Sequence, residues 1–239
     1  MSGGSGSGDV AVVIPARNEA DRIWATVTAA TGIPGVALVI VVDDGSKDGT
    51  AAAARQAGAV VTRHARNRGK GAAMETGAAA VALLDQRERR ERPRHLLFLD
   101  ADLGGTAALA GPLADPVLAG TADMTIAVFA ATVKLGGHGL VVGLSGAGIR
   151  RATGWQPAQP LNGQRCLTRA AFEAARPLAR GWGVETGLSI DLLRKGMRVT
   201  EVEVELAHRA TGTGLRAQLH RAHQLTDVAW ALATRRVLA

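Results

Sequence analysis

The chain has 239 residues, 47% of them hydrophobic, enough for one sizeable core and too many for wholesale disorder. Lysine and arginine number 28 against 21 aspartates and glutamates, a formal charge of +7 that points to anionic partners. No helix-turn-helix signature or basic-aromatic platform accompanies that charge, and Trp24, Trp155, Trp182 and Trp230 are scattered, so nucleic acid is disfavoured and phosphorylated molecules or lipid headgroups remain.

Residues 1–8 are a Gly/Ser run with neither the basic nor the apolar region of a signal peptide, and they read as a flexible tail. Asp9 to Ile14 is an apolar run stopped by Pro15, the pattern of a buried parallel strand. Helical spacing follows from Glu19 to Thr31, then a strand from Ala37 to Val42 that closes on Asp43-Asp44-Gly45-Ser46. Asp48 or Thr50 opens an Ala-rich helix to Ala57, and Ala59 to Arg63 is a short strand. Gly71 to Leu84 is a third helix, and the strand His95 to Leu99 runs straight into Asp100. The charge run from Gln86 to Arg94 is expected to be a solvated helix end and turn. Alternation of this kind implies right-handed βαβ units and an α/β fold with a mostly parallel sheet flanked by helices.

Beyond this point the regularity falls. Asp123 to Ala131 reads as a strand, Lys134 to Ala152 as a Gly-rich, basic, mobile segment, and Asn162 to Thr168 as a segment that pairs with the sheet. Helices are expected over Arg169 to Ala175, Val184 to Lys195 and Leu215 to Leu238, with a strand over Arg198 to Leu206. The last helix is expected to dock on the fold, with a second subunit or an inner membrane surface as the other surfaces it could meet. No run of about 18 apolar residues is present to span a membrane. The single Cys166 excludes an internal disulfide and a zinc pattern, which suits a reducing, cytoplasmic setting.

Ligands of open parallel sheets bind beyond the carboxyl ends of the strands, and four polar motifs fall there. Asp100-Ala101-Asp102 follows an apolar strand, and two carboxylates so placed can share one hard cation that neutralises a diphosphate. Alone, such a triplet is as readily a surface turn. Asp44 can accept hydrogen bonds from a base or ribose, whereas Ser46, Asp48 and Thr50 are better explained as a turn and helix cap. Asn67-Arg68-Gly69-Lys70-Gly71 precedes a helix; its glycines admit close backbone approach and Lys70 can reach a phosphate. The P-loop spacing is absent, which disfavours a kinase or ATPase.

The ordered set Val-Val-Ile-Pro-Ala-Arg-Asn-Glu (12–19), Val-Val-Asp-Asp-Gly-Ser-Lys-Asp-Gly-Thr (41–50), Asn-Arg-Gly-Lys-Gly-Ala-Ala (67–73) and Leu-Asp-Ala-Asp-Leu (99–103) resembles family 2 glycosyltransferases of the GT-A fold. The resemblance implies an NDP-sugar donor, a UDP- or GDP-sugar, and a divalent metal, Mg or Mn. It assigns Pro15, Ala16 and Glu19 to the nucleoside pocket, Asp44 to the base, and Gly69 and Lys70 to the flanks of the nucleotide. Asp100 and Ala101 fall on the ribose side, and Asp102 on the metal. Gly181-Trp-Gly-Val-Glu185 with His208-Arg209 resembles the acceptor and metal segment of glucosyl-3-phosphoglycerate synthases, which would make His208 a second metal ligand and place Glu185 beside the transferred sugar.

On this reading residues 9–131 bind the donor and residues 132–239 the acceptor, within one domain. Glu185 serves as general base if the reaction inverts, and orients sugar or acceptor if it retains. No phosphoglycerate signature is recognisable between Lys134 and Gln164, and polyprenyl-phosphate glycosyltransferases share the first-half motifs, so a small phosphorylated and a lipid-phosphate acceptor both fit. Lys134, His138, Arg150, Arg151 and Arg165 are the cations that could collect it, though singly each reads as solvated surface. A sugar-phosphate nucleotidyltransferase and a non-catalytic NDP-sugar-binding protein are the competing classes. A homodimer is left open.

Overall fold

The computed structural model describes residues 9–129, 139–206 and 215–237, the side chains of 215–222 excepted. Among these, seven strands form one sheet: β1 (Val10–Ala16), β2 (Val36–Asp43), β3 (Val60–Arg63), β4 (His95–Phe98), β5 (Met124–Phe129), β6 (Arg165–Leu167) and β7 (Val199–Val204). Their order is β3-β2-β1-β4-β6-β5-β7, and only β6 runs antiparallel to its neighbours. The strands of the second half thus extend the sheet begun by the first.

The helices are α1 (Ala20–Thr31), α2 (Thr50–Gln56), α3 (Lys70–Arg87), α4 (Asp115–Leu118), α5 (Gly139–Thr153), α6 (Arg169–Ala174), α7 (Val184–Arg194) and α8 (Leu215–Thr234). A 3₁₀ segment, Gly104–Leu113, and α4 lie in a stretch without a clear period in sequence. Alternation along β1 sends Val10, Val12 and Ile14 to one face, where Ile23 and Val27 of α1 and Leu113 cover them. Ala11 and Val13 face the opposite layer, with Met74 and Val81 of α3, Phe172 of α6 and Leu188 of α7. A third apolar cluster, with Val141 and Ile149 of α5, Ile190 of α7 and Val228 and Leu232 of α8, forms an outer layer over α7.

Three expectations are corrected here. Pro15 does not end its strand: β1 continues through the pair Ala16↔Asp43, because β4 pairs only as far as Val13↔Phe98 and so needs no N–H from Pro15. Of the segment expected to be mobile, residues 139–152 belong to α5. Glycine makes this helix possible at close range, since a Cβ on Gly148 would overlap Leu232 of α8. The charge run ending at Arg94 is not wholly solvated, because Arg94 is buried against Asp85 and Glu88. Cys166 is a buried free thiol of β6, pushed up to about 12 by burial. Among the described residues no helix is long and apolar enough to cross a membrane.

Candidate active site

The chain runs β1, β2, β3 toward one edge and then crosses back to place β4 on the other side of β1. Loops after β1 and β4 therefore leave in opposite directions and open a crevice at the carboxyl ends of the strands. Its rim is stitched by side chains of the loop after β2. Ser46 Oγ accepts the Asn18 N–H at 3.0 Å, Thr50 Oγ1 accepts the Glu19 N–H at 2.9 Å, and Asp48 Oδ2 accepts the Ala20 N–H at 3.3 Å. Asp48 serves its own turn as expected, its Oδ1 accepting the Thr50 N–H at 3.1 Å, but all three side chains also latch the neighbouring loop, which holds Pro15, Ala16 and Glu19 at the crevice. Ala16 also accepts the Asp44 N–H at 2.8 Å.

Asp44 is buried and already engaged. Its Oδ1 accepts the Arg68 N–H at 2.8 Å and its Oδ2 accepts the Gly69 N–H at 2.9 Å, so the carboxylate shapes the loop that leads into α3. His64 Nδ1 lies 2.7 Å from Oδ1, and Nε2 lies 2.9 Å from Thr76 Oγ1. That chain, from Thr76 through His64 to Asp44 and the loop N–H groups, was missed in sequence. The available signal was a polar residue directly after β3.

At the centre, Lys70 Nζ donates to Asp100 Oδ1 at 2.7 Å and meets Glu185 Oε1 at 2.9 Å. Three elements distant in sequence meet in this triad: the first residue of α3, the loop after β4 and the first turn of α7. Burial alone would push the Lys70 ammonium down, but the Asp100 and Glu185 carboxylates outweigh it and hold it above its ordinary value. Side-chain exposure rises from 4% at Glu185 to 18% at Lys70 and 28% at Asp100, so Glu185 lies behind the other two as seen from solvent. Gln164 bridges Asp100, accepting its N–H at 3.2 Å and donating to Oδ2 at 3.1 Å. A Cβ on the adjacent Gly163 would overlap Lys70 Nζ.

Arg165 is a correction. Expected on the surface as part of an anion collector, it is fully buried. Its guanidinium donates to the carbonyls of Asn162 (2.8 Å), Pro160 (2.9 Å) and Glu185 (2.9 Å), and to Ser189 Oγ at 3.1 Å. Burial pulls it down to about 10, against the Glu185 and Glu201 carboxylates. It ties the loop bearing Gly163 and Gln164 to the backbone of Glu185. Arg150 and Arg151 are exposed in the last turn of α5, which sits beside Arg194 and Arg235 at the end of α7 remote from Glu185. Lys134, His138, His208 and Arg209 lie outside the described residues.

Ala101 and Asp102 follow Asp100. The Ala101 carbonyl accepts Thr26 Oγ1–H at 2.8 Å, and the Asp102 carbonyl accepts Arg22 Nη1–H at 3.1 Å, so α1 holds the backbone while Asp102 is half-buried at the crevice. Among the described residues, no three His, Cys, Asp or Glu side chains converge to hold a metal ion.

The family model described as glycosyl transferase family 2 matches residues 11–134, from β1 through the acidic triplet and beyond β5. The chain belongs to glycosyl transferase family 2. Glycosyltransferase AglJ of Haloferax volcanii is 29% identical to this family 2 chain over 208 residues, 85% of the chain. The chain spans 65% of AglJ's length. Its fold is GT-A, that of glucosyl-3-phosphoglycerate synthase from Mycobacterium tuberculosis. The structure of that enzyme in complex with phosphoglyceric acid superposes with a TM-score of 0.75 at 26% identity, covering 95% of this chain and 80% of the other. Its complex with Mn²⁺, UDP and phosphoglyceric acid gives 0.76 at 25% identity, covering 95% and 78%.

Proposed function

We propose that this chain is a metal-dependent glycosyltransferase that moves a sugar from a UDP- or GDP-sugar to a small phosphorylated or lipid-phosphate acceptor. The observation that carries the reading is Lys70 bridging Asp100 and Glu185 at the strand-end crevice. A cation held by two carboxylates at the mouth of a phosphate-binding loop is already desolvated and oriented, the condition under which charge stabilisation is strongest. Family membership and the UDP and Mn²⁺ of the M. tuberculosis complex support the same donor chemistry.

On this reading residues 9–131 hold the donor, with the nucleoside between the loop of Pro15, Ala16 and Glu19 and the Asp44 loop. Asp44 keeps Arg68 and Gly69 in place as well as facing the base. Asp102 offers a hard carboxylate oxygen that fits Mg or Mn, and His208 is the second protein ligand. The cation, when bound, neutralises the diphosphate and acts as a Lewis acid on the leaving group. Lys70 is within side-chain reach of the same phosphates. An incoming diphosphate competes with Glu185 for the ammonium, and as Lys70 turns toward it the Glu185 carboxylate is uncovered for the sugar or the acceptor. Residues 132–239 hold the acceptor.

The test is NDP release from a panel of UDP- and GDP-sugars, with and without Mn. Mn-dependent release is expected, and His208→Ala should shift the Mn titration to higher concentration. A wild type that neither releases NDP nor binds an NDP-sugar would refute the reading, and an unchanged Mn titration would remove His208 from the ligand set. Pyrophosphate release from an NTP and a sugar phosphate would identify a nucleotidyltransferase instead.

A further inference from the structure

Glu185 reaches Lys70 from the first turn of α7, so the start of α7 sets the distance between them. That start is the turn Gly181-Trp182-Gly183, and α8 holds it. Asp227 Oδ2 accepts the Trp182 N–H at 3.0 Å. Gly181 has φ +54°, and a Cβ there would overlap the same carboxylate oxygen, so the turn and the carboxylate coexist only with glycine. A Cβ on Gly183 would lie 2.6 Å from the Asp227 carbonyl oxygen, which shows that the backbone of α8 rests directly on the turn. On its other side the turn backs onto the phosphate loop, since a Cβ on Gly69 would stand 3.8 Å from the Gly181 nitrogen. A second clamp, Arg235 Nε to Asp191 Oδ1 at 2.8 Å, fastens α8 farther along α7. The Asp227 carboxylate also faces the amino end of α7, where negative charge is favourable.

We infer that Asp227 is a positioning residue: through the Trp182 N–H it fixes the turn that delivers Glu185 to Lys70, so α8 sets the geometry of the triad without touching substrate. The inference rests on the glycosyltransferase reading for its effect on rate, and on the geometry alone for its effect on the turn. Removing the hydrogen bond leaves the donor-side loops intact and loosens Glu185, so it acts on turnover more than on donor binding.

The experiment uses the full chain, with UDP-glucose and Mn as the probe. Asp227→Ala is expected to lower kcat for UDP release by about tenfold or more, since misplacing a reacting group carries penalties of that order. Its UDP affinity by calorimetry should stay within about twofold of wild type. Asp227→Asn, whose amide oxygen still accepts the Trp182 N–H, should recover most of the rate. Hydrogen exchange gives a readout independent of any donor: the Trp182 amide should lose protection in Asp227→Ala and keep it in Asp227→Asn. Gly181→Ala, which displaces the same carboxylate, should reproduce the kcat loss if Asp227→Ala folds poorly.

Wild-type kcat in both Asp227→Ala and Gly181→Ala would overturn the inference. So would a parallel loss of UDP affinity, equal damage from the asparagine, or unchanged Trp182 exchange in Asp227→Ala. A wild-type protein that neither binds UDP nor releases it, yet shows the exchange difference, would sink the donor reading and leave the positioning of the turn standing.

Discussion

Lys70 carries two carboxylates at once, Asp100 at 2.7 Å and Glu185 at 2.9 Å, and its removal therefore affects both. Lys70→Met keeps the length of the side chain but leaves Glu185 buried beside Asp100 without a counter-charge. Breaking such a pair costs about 3 kcal/mol, at the low end because Asp100 is partly exposed. Because the ammonium is held above its ordinary value of 10.5, its contribution is complete below that value and is lost as pH rises through the higher folded-state value. Urea midpoints of wild type and variant should thus differ by a constant amount between about pH 7 and 9 and converge only in strong alkali. A gap that closes already near neutrality would contradict the triad. Lys70, Asp100 and Glu185 each stood out in the sequence, Lys70 beside glycines before a helix, but their meeting did not. Glu185 is more than a hundred positions away, and Gln164 and Arg165 carry no motif. An arginine is by default a surface residue, and the four acceptors that let Arg165 stay buried come from two separate segments, the 160–162 loop and α7.

Glycine sets the spacing between elements. In α3, Gly77 lies over β1 and β2, and a Cβ there would overlap Val13 Cγ1 and stand 3.2 Å from Val42 Cγ2. Gly77→Ala raises helix propensity by up to ~1 kcal/mol, yet overpacking between a helix and two inner strands costs about 1–3 kcal/mol. The variant should be less stable by urea unfolding, and a gain in stability would show that the helix can lift from the sheet freely. The same use of glycine explains why α5 was misread. Gly143, Gly146 and Gly148 lower its helical signal, whereas the packing of Ile149, Val228 and Leu232 that stabilises it is visible only once α8 is in place. β6 was faint for a related reason: three residues are too few for a periodic pattern, and its pairing depends on both β4 and β5.

The sheet runs through both halves of the chain, with β5, β6 and β7 continuing beyond β4. Ligand bound in the crevice should therefore stabilise the whole chain in one transition. At about a hundredfold excess over its dissociation constant, UDP with Mn would add roughly 2.7 kcal/mol. That is about 5–10 °C in melting temperature for a chain of this size. Calorimetry should show a single shifted transition, with the shift reduced when Mn is omitted or Asp102 is replaced by Asn. Two transitions with only one responding would mean that the halves unfold separately. The α/β alternation, the strand-end positions of the acidic and Gly-Lys motifs, and the family were legible in the sequence, because strands and loops near the amino terminus are local and their motifs contiguous. The meeting of Glu185 with Lys70, the burial of Arg165 and the seating of α8 on the Gly181–Gly183 turn were decided by the tertiary structure. Each depends on the space and the hydrogen-bond acceptors left between elements far apart in the chain, and no local pattern encodes those.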